Sequence, residues 1–343
     1  MYPTLHPRPA PEGSTDVPPL ADRHGRRFPY LRLSITPACN FRCRYCLPHG
    51  YHAEAGAAGP LTLDEIARLL RGFAELGMQK LRITGGEPGV RRDLVEVLRT
   101  AAAAPGLKKL AMTTNGTLLS RRLHAWMDAG LNAINVSVDS LDRAAFARIT
   151  GHDRLDDILH GVDMALDAGL PTVKLNAVLL RGVNDDELPR WLDYLRDHAV
   201  GLRFIELMQT GDNLAFFRDH HVRAEALAGE LRERGWQALP RALDDGPARE
   251  YAHLDYAGRI GIIAPYAKDF CAGCNRLRVT ATGDLRLCLF GEFGIPLRKY
   301  LARDDQLPDL VRAIGGQIGR KEQGHFLHQG RTGITPHLAS TGG

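Results

Sequence analysis

The chain has 343 residues, 44% of them apolar and 24% charged, so it can bury a sizeable core without disulfide cross-links. Its 44 Lys and Arg against 40 Asp and Glu give a formal net charge of +4, too small to indicate nucleic acid or a membrane as a partner. The sequence shows no apolar run of membrane-spanning length and no signal-peptide core near its start. We therefore expect a cytoplasmic protein.

The first 22 residues are rich in proline and poor in large apolar residues, which predicts a disordered extension. The run YLRLSIT at 30–36 predicts the first strand. Thr62 and Glu65 have capping-box spacing, and the apolar positions behind them repeat at three and four residues up to a helix stop at Gly77.

The same strand and helix cycle then repeats. Further strands are predicted at 80–84, 109–113, 133–138, 172–180 and 202–207, with helices near 91–104 and 120–130, up to 169, and 185–198. Six strands alternating with helices predict an α/β fold, a parallel sheet or partial (βα)6 TIM-type barrel. The alternation decays after about residue 210, so we do not expect a complete eight-stranded barrel.

Polar residues follow the ends of several predicted strands: Thr84–Pro88, Thr113–Gly116, Ser137, Asn176 and Glu206. Chemistry in parallel βα folds gathers at the carboxyl ends of the strands, so these residues should surround one mouth.

The six cysteines fall into two triads: Cys39, Cys43 and Cys46, then Cys271, Cys274 and Cys288. Disulfides are disfavoured in a reducing cytosol, where clustered thiols favour metal binding. In the first triad, C-x3-C-x2-C, three thiolates on a four-iron cluster leave one iron open to an exogenous ligand. Zinc is the alternative, but a structural zinc site needs four protein ligands, and only His49 and His52 are nearby.

With CNFRCRYC after the first strand and GGEP after the second, the sequence resembles the radical S-adenosylmethionine superfamily. The resemblance implies a [4Fe-4S] cluster on the first triad and reductive cleavage of S-adenosylmethionine to a 5'-deoxyadenosyl radical. It also implies that S-adenosylmethionine is held by five residues: Tyr45 on adenine, Gly86 and Glu87 at the ammonium, and Ser137 and Met208 along the nucleoside and methionine. Independently, glycines permit close backbone approach, and Glu87 can accept from a cation.

The second triad lies in FCAGCNRLRVTATGDLRLCLF, together with Arg276, Arg278 and Arg286. A hairpin over 276–286 would point Arg276 and Arg278 to one face, where guanidinium groups suit phosphate oxygens. Half of a zinc ribbon is the alternative, but a fourth ligand is again missing.

The pattern FCxxCNRLR followed by CLFG is similar to the GTP 3',8-cyclase family of molybdenum cofactor biosynthesis, and the similarity runs from about Asp22 to Gly343. It implies a second [4Fe-4S] cluster whose open iron binds guanine. GTP contacts are implied for Arg32, Lys80, Arg82, Thr113, Lys174, Arg203, Arg276 and Arg278, and catalytic roles for Arg276, Arg278, Arg286, Gly342 and Gly343. Several of these cations lie on strands, where an unpaired charge is costly, so they need an anion.

The resemblance implies a lyase that joins C3' of the ribose of GTP to C8 of guanine. The sequence contains no GxxxxGK[ST] loop, so GTP is not held as in a P-loop hydrolase. The implied partners are GTP, an electron donor and a downstream cyclic pyranopterin monophosphate synthase, with a homodimer allowed and neither nucleic acid nor membrane expected. The implied divisions are a radical S-adenosylmethionine core at 23–210 and a substrate-binding region at 211–343.

Two departures from the family concern the carboxyl-terminal region: Lys321-Glu322 replaces a usual Lys-Pro pair, and the residues before Gly342-Gly343 are atypical. The main alternative is a radical S-adenosylmethionine peptide-modifying enzyme with an auxiliary cluster, although such enzymes typically carry more carboxyl-terminal cysteines. A zinc module binding nucleic acid is disfavoured by the low aromatic content, 7%, and the small net charge.

Overall fold

The computed structural model describes residues 20–53, 56, 58–241 and 245–341. The disordered extension predicted for 1–22 therefore lies outside the described residues up to position 19. Leu20 donates its backbone N–H to the Leu76 carbonyl oxygen at 3.2 Å, and Ala21 forms a β-bridge with Arg27. None of the described helices is both long and apolar enough to cross a membrane.

The described strands form one sheet. They are β1 Tyr30–Ser34, β2 Lys80–Thr84, β3 Lys109–Thr114, β4 Ala133–Ser137, β5 Val173–Leu179, β6 Gly201–Glu206, β7 Gln237–Ala238, β8 Arg249–Ala252, β9 Arg259–Ile263, β10 Arg276–Val279, β11 Asp284–Arg286 and β12 Ile295–Pro296. Their order is β12-β11-β10-β1-β2-β3-β4-β5-β6-β9-β8-β7.

The helices lie between and after these strands. They are α1 Leu63–Glu75, α2 Leu94–Ala102, α3 Leu119–Asp128, α4 Arg143–Thr150, α5 Leu155–Asp167, α6 Leu188–Asp197, α7 Leu214–His220, α8 Glu225–Glu233 and α9 Leu307–Gln317. Short 3-10 helices occupy Pro88–Val90, Arg298–Tyr300, Asp304–Gln306, Ile318–Arg320, Leu327–Gln329 and Leu338–Ser340.

The predicted partial barrel is confirmed, since β1 to β6 are parallel neighbours in chain order with helices between them. Two strands of the carboxyl-terminal region extend it: β9, which the sequence analysis did not predict, pairs in parallel with β6, and β10, the first strand of the predicted hairpin, pairs in parallel with β1. The carboxyl-terminal extension thus supplies a strand at each edge of the six-stranded core. The βα periodicity did not reveal these two pairings because no helix separates β9 from β10.

Local sequence signals explain the best-predicted elements. Thr62 and Glu65 form the predicted capping box at the start of α1, and Ile66, Leu69 and Phe73 are buried on its apolar face. The predicted hairpin is present as β10 and β11, which pair antiparallel, with Gly283 at φ +94° in its turn. A side chain at Gly283 would be strained at that angle.

Alternation along the strands positions the site. Because successive side chains point to opposite faces of a strand, residues 30, 32 and 34 of β1 share one face and 31 and 33 the other. Leu31 and Leu33 are fully buried in the hydrophobic core, whereas Tyr30 and Arg32 line a cavity. The inner face of the sheet is therefore polar, and polar side chains lie along much of its length.

Candidate active site

The first cysteine triad lines a cavity of about 970 Å³ at the carboxyl ends of the strands. The three thiols come from the loop after β1. Five other predicted site residues line the same cavity: Tyr45, Gly86, Thr113, Ser137 and Met208. The carboxyl-end mouth inferred from the sequence therefore brings together residues far apart in the chain, but it does not include Glu206, which is fully buried and accepts from the backbone N–H of Ala224.

The glycine pair after β2 packs directly on the cysteine loop. Gly86 donates its backbone N–H to the Thr36 carbonyl oxygen at 2.8 Å, and Glu87 donates its own to Ala38 at 2.8 Å. A Cβ atom at Gly86 would overlap the Ala38 carbonyl group. Glycine at this position therefore lets the two backbone segments approach closely.

Glu87 itself does not line the first cavity. It is 1% exposed, and its Oε1 accepts from the Gly89 N–H at 2.8 Å and the Thr114 hydroxyl at 2.7 Å, while Oε2 accepts from the Asn115 N–H at 2.6 Å. Burial raises the pKa of this carboxyl group in spite of the three hydrogen bonds. The carboxylate thus joins the GGEP and TTNG loops, and its contact with an ammonium group stays a prediction.

The first cavity has acidic surroundings. Burial raises the pKa of Cys46 to about 12 even though backbone N–H groups of Ala339 and Leu338 donate to its thiol. Asp139 lines the cavity, and burial raises its pKa to about 6; its Oδ2 accepts from the Tyr45 hydroxyl at 3.0 Å. A positively charged occupant would stabilise these groups in their ionised forms.

The second triad lines another cavity, of about 1070 Å³. Six predicted anion-binding residues face the same space: Arg32, Lys80, Arg82, Arg203, Arg276 and Arg278. No Asp or Glu is found among the described residues that line it. The two cavities therefore have opposite charge.

Register places the cations of the second cavity in layers. Arg278 on β10, Arg32 on β1 and Arg82 on β2 occupy directly adjacent positions across three neighbouring strands. Like charges opposite one another destabilise a sheet. Burial, reinforced by Arg276, lowers the pKa of Arg278 to about 10. The fold thus tolerates a costly cluster whose charge an anionic ligand would offset.

The second triad differs electrostatically from the first. Burial alone would raise the pKa of the Cys274 thiol, but the charges of Arg276 and Lys321 outweigh it and lower the pKa to about 6. Cys271 keeps a raised pKa because burial dominates there. Within the described ranges, no three His, Cys, Asp or Glu side chains converge closely enough to hold a single metal ion.

Two predicted GTP contacts have another partner in the structure. Lys174 is not among the residues that line the second cavity, and its Nζ lies 2.6 Å from Oε1 of Glu250 on β8. Arg203 lines the cavity but also contacts that oxygen, at 3.3 Å. The expectation that these two cations need an external anion was therefore too simple, because Glu250 supplies a carboxylate.

Two other predicted residues lie away from the second cavity. Thr113 lines the first cavity and accepts at its Oγ1 from Arg82 at 3.3 Å, so it lies between the two spaces. Arg286 lines neither cavity and donates to the Ile334 carbonyl oxygen at 3.3 Å. The predicted catalytic residues Gly342 and Gly343 lie outside the described residues.

The sequence analysis missed several residues of the second site. Tyr30 and Lys321 line the cavity, and Arg26 donates to the carbonyl oxygens of Cys271 at 3.2 Å and Gln323 at 2.9 Å. Tyr30 could have been found, because it lies two residues before Arg32 on the same strand face. Arg26 and Lys321 carry no comparable signal, since their proximity depends on long-range folding.

The two cavities meet inside the barrel. Asn176 on β5, Ile205 on β6 and Met208 line both of them. The Asn176 Oδ1 is buried without a hydrogen-bond partner. A ligand in one cavity would thus come close to a ligand in the other.

The residues present fit two iron–sulfur clusters. Each triad presents three thiols to one cavity without a fourth cysteine, which suits a four-iron cluster with one open iron. Gly86 lines the first cavity through its backbone, and a side chain there would overlap the Ala38 carbonyl group.

Comparison with protein families divides the chain into two matched segments. Residues 33–195 match the Radical SAM superfamily, and residues 200–327 match Molybdenum Cofactor Synthesis C. These matches follow the change in the sequence pattern that occurs near residue 210.

Curated relatives match almost the whole chain. A GTP 3',8-cyclase of Stenotrophomonas maltophilia (strain R551-3) is 63% identical over 94% of this chain and 99% of its own length. The GTP 3',8-cyclase of Yersinia pestis is 53% identical over the same shares. Among solved structures, SuiB of Streptococcus suis bound to S-adenosylmethionine aligns with a TM-score of 0.61 at 13% identity, covering 90% of this chain and 75% of that one. That likeness supports the fold alone.

Proposed function

This chain belongs to the GTP 3',8-cyclase family of radical S-adenosylmethionine enzymes, and we propose that its two cavities hold the two substrates on separate iron–sulfur clusters. The enzyme converts GTP to (8S)-3',8-cyclo-7,8-dihydroguanosine 5'-triphosphate with reductive cleavage of S-adenosylmethionine, the first step of molybdenum cofactor biosynthesis.

The reaction fixes what the protein must bring together. One electron cleaves S-adenosylmethionine to methionine and the 5'-deoxyadenosyl radical, which takes the hydrogen from C3' of GTP. The C3' radical bonds to C8 of guanine, and a second electron and a proton complete the product. The two substrates must therefore meet at C5' of one and C3' of the other, which is compatible with the wall that Asn176, Ile205 and Met208 share.

In the first cavity, Cys39, Cys43 and Cys46 would hold the cluster that supplies the electron for cleavage. Tyr45 would pack on adenine, Ser137 and Met208 would contact the nucleoside and methionine, and Gly86 would border the methionine end. Asp139 and Glu87 give this region a negative potential, which favours the sulfonium and ammonium charges of S-adenosylmethionine.

In the second cavity, Cys271, Cys274 and Cys288 would hold a second [4Fe-4S] cluster beside guanine. The single observation that carries this assignment is the layer of Arg278, Arg32 and Arg82 in adjacent register. A triphosphate carrying about four negative charges would offset their repulsion, and each guanidinium could donate to its oxygens.

The remaining predicted roles follow from position. Arg276 and Lys80 lie on either side of Tyr30 and would bind the triphosphate there. Arg203 and Lys174 would also bind it, but the triphosphate would compete for them with the Glu250 carboxylate. Thr113 would act through Arg82. Arg286 would position the carboxyl-terminal segment through Ile334, and the catalytic roles of Gly342 and Gly343 stay a prediction.

We also propose that 23–210 and 211–343 are two functional regions of one sheet, since β9 and β10 of the second region flank the first. The electrons require an external one-electron reductant, and the product would pass to a separate cyclic pyranopterin monophosphate synthase. A homodimer stays a prediction.

Two triple variants test the assignment of the clusters. Replacing Cys39, Cys43 and Cys46 with Ala should remove about half of the iron from anaerobically reconstituted protein and abolish 5'-deoxyadenosine formation. Replacing Cys271, Cys274 and Cys288 with Ala should remove the other half of the iron and abolish formation of cyclised GTP, while reductive cleavage of S-adenosylmethionine continues.

Each variant is the control for the other, because both remove three thiols. Wild-type protein that holds zinc and no iron would contradict the two-cluster arrangement. Cyclised GTP formed without the second triad would contradict its substrate role.

A further inference from the structure

Tyr30 lies within the basic wall of the second cavity, although no motif in the sequence pointed to it. It is 3% exposed, and it occupies the register position beside Lys80 on β2 and Arg276 on β10. No described Asp or Glu lines this cavity. Among its described lining residues, Tyr30 is therefore the one whose side-chain oxygen can lose a proton and become negatively charged.

Tyr30 contacts two of the cations of this wall, Arg82 and Lys80. Arg82 donates from Nε to the phenol oxygen at 2.6 Å, a short distance typical of a charge-assisted hydrogen bond. The Lys80 Nζ lies 4.8 Å from the centre of the ring, in cation–π geometry. The phenol thus fixes the guanidinium of Arg82 and the ammonium of Lys80 at once.

The Cys274 thiol lines the same cavity and Glu250 pairs with Arg203, but the charged side chains on the strand of Tyr30 and on the two strands beside it are all positive. They come from its own strand and from the strands packed on either side: Arg32 on β1, Lys80 and Arg82 on β2, and Arg276 and Arg278 on β10, with Arg203 on β6 across the cavity. Burial alone would raise the pKa of the phenol, but the charges of Arg82, Arg32 and Lys80 outweigh it and lower the pKa to about 6.

Resting on the proposed GTP site, we propose that the Tyr30 oxygen is the internal counter-anion of the substrate cavity. Without nucleotide, the Tyr30 oxygen positions Arg82 and Lys80. When the triphosphate binds to these two cations, the Tyr30 oxygen accepts a proton. Tyr30 is then a positioning residue for the substrate, and it makes GTP binding depend on pH.

The direction of this dependence follows from linkage. A phenol whose pKa rises toward its ordinary value of about 10 on binding takes up a proton at any pH between about 6 and 10. At pH 8 the phosphates are already fully ionised, since a phosphate group has its second pKa near 6. GTP affinity of the wild type should therefore fall by up to about tenfold for each pH unit above 7.5.

The test compares reconstituted wild type with Tyr30→Phe and with Tyr251→Phe, a buried tyrosine that does not line the second cavity. Calorimetric titrations with GTP at pH 8, in two buffers of different ionisation enthalpy, give the protons taken up per GTP. Wild type and Tyr251→Phe should take up close to one proton more than Tyr30→Phe. Guanosine, which lacks the triphosphate, should show no difference among the three proteins.

Lys174, whose pKa burial lowers to about 8, also takes up protons in this range, but it does so in all three proteins and cancels in the comparison. Should Tyr30→Phe lose its iron, Tyr30→Glu keeps an acceptor for Arg82 and does not titrate near pH 8, so it too should lack the additional proton. Equal proton uptake in the wild type and the folded Tyr30 variant would overturn this inference alone. Failure of the wild type to bind GTP would overturn the proposed function as well.

Discussion

Arg278→Met should weaken GTP binding and stabilise the protein without ligand. Arg278 lies in the layer with Arg32 and Arg82, and burial together with Arg276 lowers its pKa from 12.5 to about 10. A shift of that size corresponds to roughly 3 kcal/mol, which we reduce to about 1 to 3 kcal/mol because the side chain borders an open cavity. Methionine fills a similar volume without a charge, so the free energy of unfolding should rise by that amount.

The loss in GTP affinity follows from the contacts removed. A hydrogen bond to a charged group contributes about 1.5 to 3 kcal/mol, so the Kd for GTP should increase about 10- to 150-fold. Anaerobic calorimetry measures this Kd, and thermal unfolding of the cluster-free protein measures the stability. Guanosine should bind almost equally to wild type and variant, since it carries no phosphate.

The matched control is Arg312→Met, because Arg312 is exposed on α9 and pairs with Asp309 there. It should change neither GTP affinity nor stability by a measurable amount. An unchanged Kd for GTP in Arg278→Met would refute the phosphate role. A fall in stability of the ligand-free variant would refute the argument from charge repulsion.

Two further predictions concern the first cavity. Gly86→Ala should push the backbone at Ala38 away and lower the free energy of unfolding by about 1 to 3 kcal/mol. It should also lower iron binding at the first triad while iron at the second triad stays constant, as measured by Mössbauer spectroscopy. Full iron content in the variant would contradict this prediction. Burial raises the pKa of Asp139 to about 6 in the folded protein. As pH rises, this carboxyl group therefore ionises in the unfolded chain before it ionises in the folded one, and cluster-free wild type should lose stability between about pH 4 and 6. Asp139→Asn should remove this loss, and identical pH profiles from thermal unfolding would show that the carboxyl group is not the cause.

The fold was predictable where local signals repeat. The periodic apolar faces and the capping box at Thr62 gave α1 correctly, and β2 at Lys80–Thr84 has the predicted bounds. By contrast, β9 and β10 join the sheet through parallel pairing across long sequence separations, with Arg259 opposite Gly201 and Arg276 opposite Tyr30. Single-sequence periodicity carries no information about such pairings, because they depend on the tertiary arrangement.

The candidate site was predictable to the level of residue type, and its geometry was not. The spacing of the cysteines indicated two separate triads, and each of them lines one cavity. That Glu250 would contact Lys174 and Arg203 could not be read from the sequence, since an acid on β8 approaches them only after the sheet has formed. The same limit applies to Arg286. Like Arg278 it lies close to a cysteine of the second triad in the sequence, but its side chain contacts Ile334.

The opposite charge of the two cavities suggests why the polar interior extends beyond the mouth of the barrel. Residues 30, 80 and 276 begin their strands, so the second cavity lies toward the amino ends of β1, β2 and β10. Parallel βα folds usually fill this part of the interior with apolar side chains. We expect the radical to form at the carboxyl ends and the negatively charged triphosphate to bind in the second cavity, which shares a wall with the first. Repulsion within the layer of arginines destabilises the sheet, and the relief of this repulsion is what would favour binding of an anion at the amino ends.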